Sequence, residues 1–201
     1  MNKKNIDCSG CKVNACYHGD DCVKGYDFEK YMSMTKEAFD NKENKTILEV
    51  STRVEGEHYM KLTRMEEIIV FAKNMGYEKI GIAHCVGLTN EAKIIKEILD
   101  KHFTTYAISC KFSGINKKEY NLKQVKDDRH EAICNPIGQA MVLNDLNTDL
   151  NLIVGLCVGH DILFTKYSVA PVSTFIVKDR ITGHNPVAAI YSAYHKKNMG
   201  V

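Results

Sequence analysis

From residue 79 onward, short apolar runs alternate with amphipathic stretches, and this alternation constrains the fold more than any other feature of the chain. Lys79-Ile-Gly-Ile-Ala83 reads as a strand, Asn90 to His102 as a helix and Thr104-Thr-Tyr-Ala-Ile-Ser109 as a second strand. Strand, helix, strand is the order of a parallel βαβ unit. A polar stretch over 116–131 follows, and Asn135-Pro136 then supplies an N-cap and a first-turn proline for a helix reaching about Asn147. Asn151 to Leu156 and Val172 to Val177 read as two further strands. Apolar positions at Val187, Ala188, Ile190, Tyr191 and Tyr194 predict a closing helix over 186–197 packed on the sheet. The expectation is a three-layer, Rossmann-like α/β fold with about four mostly parallel strands.

Upstream of the alternation the chain reads as helical. Phe28, Tyr31, Thr35, Ala38 and Phe39 recur at helical spacing over 26–39, and the polar run at 41–45 closes that helix. A second helix is expected over 46–59. Thr63-Arg-Met-Glu66 is a capping box opening a third, which Gly76 ends. The organisation is therefore a cysteine-bearing knuckle over 1–25 and an α/β domain over 26–201, the latter divided into a helical lead-in at 26–77 and a βαβ core at 78–201. No internal repeat is evident.

Cysteine usage is the outlier in the composition. Eight cysteines occur among 201 residues, at positions 8, 11, 16, 22, 85, 110, 134 and 157. That is too few for a disulfide scaffold of this length and many for a chain with no use for thiols. The first residues, Met-Asn-Lys-Lys-Asn-Ile-Asp-Cys, hold no apolar leader core, and the stretch near Leu152 to Val158 is too short to span a bilayer. The expected location is cytoplasmic, with the thiols reduced. A formal net charge of +2 argues for neither nucleic acid nor an anionic membrane.

Four of the thiols form Cys8-x2-Cys11-x4-Cys16-x5-Cys22, on a short segment with little apolar content. Thiolates this close on a coreless loop are what a tetrahedral metal site or a cubane cluster requires, because the bound metal supplies the folding energy. Structural zinc usually shows two separated Cys-x2-Cys pairs, so the spacing favours an iron–sulfur cluster of the [4Fe–4S] type, with zinc as the alternative. His18 and Asp20 lie within the loop and could replace a ligand, although a loop histidine is more often simply solvated. Lys12 and Lys24 flank it without a basic and aromatic stripe of the kind that binds RNA.

The other four thiols converge only through the expected topology. Cys85 follows the first strand, Cys110 ends the second, Cys157 ends the third, and Cys134 precedes the Asn135-Pro136 helix start. In a parallel sheet these positions open on one edge, where ligands bind. Cys85, Cys110 and Cys157 are the better placed, while Cys134 depends on its loop. His84 and Gly159-His160-Asp161 flank them. Cys85 and Cys134, near helix N-termini, are expected to have lowered pKa values. The loop Lys178-Asp-Arg-Ile-Thr-Gly-His184-Asn-Pro should reach the same edge with cations, a carboxylate and a histidine. Cys85, Cys110, Cys157, His160 and Lys178 are thus the candidate catalytic residues, and Cys85, Cys110, Cys134 and Cys157 a possible second cluster or thiol site. The Gly-x-Gly-x-x-Gly, Gly-x4-Gly-Lys-Ser/Thr, His-Glu-x-x-His and Gly-x-Ser-x-Gly signatures are missing, which removes the usual support for dinucleotide, NTP, zincin and serine-hydrolase functions.

Several segments resemble a family of small prokaryotic proteins described as uncharacterised and metal-binding, with a domain of unknown function. They are Cys8-Ser-Gly-Cys11 with Cys16 and Cys22, Tyr59-Met-Lys-Leu-Thr-Arg-Met-Glu-Glu67, Lys79-Ile-Gly-Ile-Ala-His-Cys-Val-Gly-Leu88, Cys134-Asn-Pro-Ile-Gly-Gln139, Gly155-Leu-Cys-Val-Gly-His-Asp161 and Lys178 to Pro186. The resemblance covers nearly the whole chain and implies metal binding at the four N-terminal cysteines, with no reaction attached. The expected function is a metal-binding protein whose sheet-edge thiols perform redox or sulfur-transfer chemistry on a small molecule. A non-catalytic zinc module that senses or carries a ligand is the alternative.

Overall fold

The computed structural model describes residues 7–19 and 27–201. Cys22, Asp20, Lys24 and the expected Tyr26 start of the first helix lie outside the described residues. In the N-terminal part, a short 3-10 turn at Ala15–His18 precedes α1 (Phe28–Asp40) and α2 (Lys42–His58). Asp27 opens α1 by accepting the Lys30 N–H at 3.0 Å. The polar run closes α1 through a single residue. Asn41 turns extended, and its side-chain oxygen accepts the N–H groups of Glu43 at 3.0 Å and Asn44 at 3.2 Å. That cap starts α2 at Lys42 rather than at Thr46. By its internal contacts the chain divides into two units, Met1–Glu55 and Gly56–Val201.

The second unit begins with the expected capping box. Glu66 N–H reaches Thr63 Oγ1 at 3.5 Å, and Thr63 N–H reaches Glu66 Oε2 at 2.7 Å. This fixes the start of α3 (Arg64–Met75), and Gly76, at φ 71°, ends it. There follow β1 (Lys79–His84), α4 (Thr89–Leu99), β2 (Thr104–Ser109), α5 (Pro136–Asp145), β3 (Leu150–Val154), α6 (His160–Tyr167), β4 (Val172–Ile176), α7 (Pro186–Tyr191) and α8 (Ala193–Asn198). The four strands form one all-parallel sheet in the order β2-β1-β3-β4. The layout is the Rossmann-like α/β arrangement anticipated from the alternation.

Strand order reverses at β1. From β1 the chain steps outward to β2, then returns past β1 to β3 and β4. Right-handed crossovers therefore place α4 on one face of the sheet and α5 on the other. Close packing of α5 requires Gly81, because a Cβ there would sit 2.0 Å from Asn151 Oδ1 and 2.8 Å from Leu143 Cδ1. Strand alternation then turns Ala83 and the next odd position, Cys85, to that same face. Ile80, Ile82, Leu88, Leu99, Leu143, Leu152, Val154 and Phe164 are among the fully buried side chains of the core.

One element was not anticipated and one expectation needs correction. The segment after β3 holds a helix, α6, of which only Phe164 is buried. The closing helix is two short ones, because Ser192 turns extended and caps α8 through its hydroxyl. No residue of α7 or α8 is buried, so this segment does not pack on the sheet as the apolar spacing suggested.

Candidate functional site

The thiol site forms where the β1·β2 ladder ends. His84 pairs with Ser109, and the ladder continues one bond further as Cys110 N–H donates to His84 O at 2.9 Å. A regular parallel ladder would next send Val86 N–H to the Cys110 carbonyl. Here Val86 N–H donates to Cys110 Sγ at 3.3 Å, and the Cys110 carbonyl accepts Asn135 N–H at 2.8 Å. Sulfur takes the place of backbone oxygen in the ladder, and the freed oxygen recruits the residue after Cys134.

The polar excursion between β2 and α5 delivers Cys134 to this point. Lys117 N–H donates to Glu131 O at 2.9 Å and Ile133 N–H to Ile115 O at 2.7 Å, with an antiparallel bridge between Asn116 and Ala132. An ion pair of 2.5 Å between Lys117 and Glu131 closes the same loop, and with the Val125 N–H it holds the Glu131 carboxyl down to about 2. The loop walks the chain back to the strand end. Gln139 on α5 completes the frame: fully buried, it donates from Nε2 to His84 O at 3.2 Å and to Ile108 O at 2.7 Å, tying together the ends of β1 and β2.

Three thiols thus meet. Cys110, buried, faces both Cys85, also buried, and Cys134, half-buried. The Cys85 thiol is pulled down to about 4, first by the Cys110 thiol and then, against the cost of burial, by Gly87 N–H and Lys178. Lys178 Nζ lies 3.4 Å from Cys85 Sγ. Cys134 is pulled down to about 5, again first by Cys110, then by Lys111 and His160 against burial. Cys110 is pushed up by Cys134 first, then by Cys85 and burial. One S–H carries one proton, so Cys110 donates to Cys85 or to Cys134 at any instant, and the other thiolate leans on its cation. The three thiols titrate as one coupled set, with Cys85 and Cys134 shifted toward the thiolate and Cys110 toward the thiol.

The two loops beyond β3 and β4 add charge. Arg180 donates to Cys157 Sγ at 3.2 Å, which raises the guanidinium pKa further. Asp179 accepts the N–H groups of Ile181 at 2.9 Å and Thr182 at 3.0 Å, while its own N–H reaches His184 Nδ1 at 3.1 Å. Asp179 and His184 therefore hold the loop shut, and Lys178 and Arg180 do the reaching. Asp161 similarly braces its own turn by accepting the Gly159 N–H at 2.9 Å. His84 is buried with its ring against the Cys85 carbonyl at 3.1 Å.

Cys85, Cys110, Cys134, Lys178 and His160 are brought together, and Cys134 rather than Cys157, which the topology had placed ahead of it, joins Cys85 and Cys110 at the centre. Cys157 is held by Arg180. The lowering at Cys85 and Cys134 comes first from the central thiol rather than from helix N-termini. Lys111 and Gln139 escaped the sequence reading. Lys111 could have been noticed as the cation directly after a strand-end cysteine, whereas Gln139 left no signal in an apolar helix. In the N-terminal unit, Cys8, Cys11 and Cys16 are exposed, as is His18. Cys11 Sγ accepts Asn14 N–H at 3.3 Å, and the N–H groups of Asn14 and Val13 lower its thiol pKa. Among the described residues, no group of three or more His, Cys, Asp or Glu side chains is placed to hold a metal ion. No described helix is long and apolar enough to cross a membrane.

Fold and site together define an all-parallel α/β protein with a cation-flanked cluster of thiols at the carboxyl-terminal edge of its sheet. The chain belongs to the family described as "Protein of unknown function (DUF1847)", whose model matches residues 23–175 and so spans Cys85, Cys110, Cys134 and Cys157. It is 53% identical over 192 residues to "Uncharacterized protein MJ0455" of Methanocaldococcus jannaschii, covering 96% of this chain and 97% of that one. No solved structure matches the chain.

Proposed function

We propose that this protein uses the thiolates at its sheet edge for redox or sulfur-transfer chemistry on a small molecule in a reducing, cytoplasmic setting. One observation carries the proposal: Cys110 lies between Cys85 and Cys134 with Lys178 Nζ 3.4 Å from Cys85 Sγ. Free cysteine is common in cores, but core thiols are inert and protonated. Two thiols shifted toward the thiolate and flanked by Lys178, Lys111 and His160 are nucleophiles instead.

The second part of the proposal is a metal at Cys8, Cys11, Cys16 and Cys22, with an iron–sulfur cluster preferred to zinc. Cys11 fits that role, because its thiol is already shifted toward the ionised form that a metal ligand needs. A cluster bound there would store an electron. At the sheet edge, among the described residues, no group of three or more thiols is placed to hold a metal ion, and a thiol site is preferred there to a second cluster.

Protein purified without oxygen tests both parts. Iodoacetamide at about pH 6 should label Cys134 and Cys85 ahead of Cys110 in a peptide map, since only thiolates react there at appreciable rates. Uniformly slow labelling of all three would refute the thiolate site. Iron and acid-labile sulfide in the same sample support the cluster, and their absence refutes it.

A further inference from the structure

The three sheet-edge thiols differ in exposure and in place in the fold, not only in charge. Cys134 is half-buried and sits on a loop, Cys110 is buried and fixed by the strand ladder, and Cys85 is buried under Lys178. The Asn135 N–H to Cys110 carbonyl bond of 2.8 Å keeps the backbone beside Cys134 against that of Cys110. Two cysteines whose backbones run side by side in this way meet the first requirement of a disulfide between them. Lys111, Lys178 and Arg180 all reach the thiols, the Asp179 carboxylate between the last two is spent on the N–H groups of its own loop, and the exposed Arg180 offers a cation to an anionic partner.

We propose that Cys134 and Cys110 form a dithiol–disulfide pair that reduces small disulfides carrying negative charge, with Cys134 attacking and Cys110 resolving. The proposal rests on the thiolate reading of the site given above and names its substrate class.

The steps balance. Cys134 thiolate attacks one sulfur of the substrate disulfide, forming a mixed disulfide and expelling the first product as a thiolate. The charge on Cys134 is then gone, and with it the largest influence keeping the proton on Cys110. Cys110 passes its proton to the Cys85 thiolate, which Lys178 holds in place. The new Cys110 thiolate attacks Cys134 Sγ, forming the Cys110–Cys134 disulfide and expelling the second product thiolate. Two electrons pass from the pair to the substrate, and the single proton ends on Cys85. Two negative charges enter the sequence on Cys134 and Cys85, and two leave on the product thiolates.

Oxidised glutathione serves as the anionic disulfide probe, applied to the full-length protein prepared without oxygen and followed by a peptide map. The expected result is a Cys110–Cys134 linkage with no glutathione left on either residue. In Cys110→Ser the second step has no nucleophile, so one glutathione should remain on Cys134. Cys85→Ser should slow loss of that glutathione at least ten-fold without slowing its attachment, a split that a merely structural role would not produce. A stable glutathione adduct on wild-type Cys134, or a linkage of Cys110 to Cys85 instead, overturns the proposal. Should either variant fail to fold, the wild-type map decides alone. If iodoacetamide labels Cys134 while glutathione stops at the adduct, only the disulfide pair is refuted. If neither reagent modifies Cys134, the thiolate reading itself fails.

Discussion

Replacing Lys178 with Met removes the cation beside Cys85 and keeps an unbranched apolar stem in its place. Lys178 Nζ stands 3.4 Å from Cys85 Sγ in a half-buried setting. Unit charges at that separation attract by about 1.2 kcal/mol in water and by about 5 kcal/mol at an effective dielectric of about 20. A charge-assisted hydrogen bond in such a place contributes ~1.5–3 kcal/mol net, which corresponds to about 1–2 pKa units. Loss of a cation favours the neutral thiol, so the Cys85 midpoint should rise by that amount from its wild-type value of about 4. It should not return to the ordinary thiol range, because the Cys110 thiol is the larger influence and remains. The assay is a pH titration of thiolate ultraviolet absorbance, with Cys85→Ser identifying the step that belongs to Cys85. Lys178→Arg should retain most of the lowering. A Lys178→Met midpoint that stays put or falls would show that the ammonium does not stabilise this thiolate.

Two further outcomes follow from the fold. Stability should depend on pH in a defined direction, because Cys85 and Cys134 are lowered in the folded state and Cys110 is raised. The contribution of the lowered pair is complete above the ordinary thiol pKa and lost as pH falls toward about 4–5, while that of Cys110 is present below the ordinary value and lost as pH rises. The urea midpoint at about pH 8 should therefore exceed that at about pH 5.5, and equal midpoints would contradict the charge assignment. Gly81→Ala would press a methyl against Asn151 Oδ1 and Leu143, at 2.0 and 2.8 Å. Asn151 cannot yield, being held by the hydroxyls of Thr148 and Ser168 at 2.8 Å each. A loss of ~2–3 kcal/mol, seen as a fall in Tm of about 5–10 °C, is expected, and a change below ~0.5 kcal/mol would refute the close packing of α5 on β1.

Much of this was legible in the sequence because it is locally encoded. The four strands announce themselves as apolar runs, the Thr63 to Glu66 box and Asn135-Pro136 mark helix starts, and a parallel sheet sends Cys85 and Cys110 to one edge by geometry alone. What escaped depends on contacts distant in the chain. Cys134 reaches Cys110 through Asn135 N–H and a loop closed by Lys117 and Glu131, and no periodicity records such pairings. Gln139 looks like any polar residue in an apolar helix until its two carbonyl partners are in place. In α6 the apolar residues Ile162, Leu163 and Phe164 are contiguous rather than spaced, so they carry no helical period. The spacing over 187–194 did carry one, yet those side chains stay exposed, since periodicity says that a helix has an apolar face and not what covers it.

The substitution of sulfur for a carbonyl at the end of the β1·β2 ladder ties the chemistry of this protein to the alignment of two strands. Sliding β2 by one residue would leave a sheet of similar backbone bonding, but Cys110 would face α4 and Ser109 or Lys111 would stand opposite Cys85. The reactive thiols would then be separated by the thickness of the sheet. Thiol reactivity is thus a built-in gauge of correct assembly: a chain that folded one notch out of line would lose its chemistry together with the packing of Ala107 and Ile108.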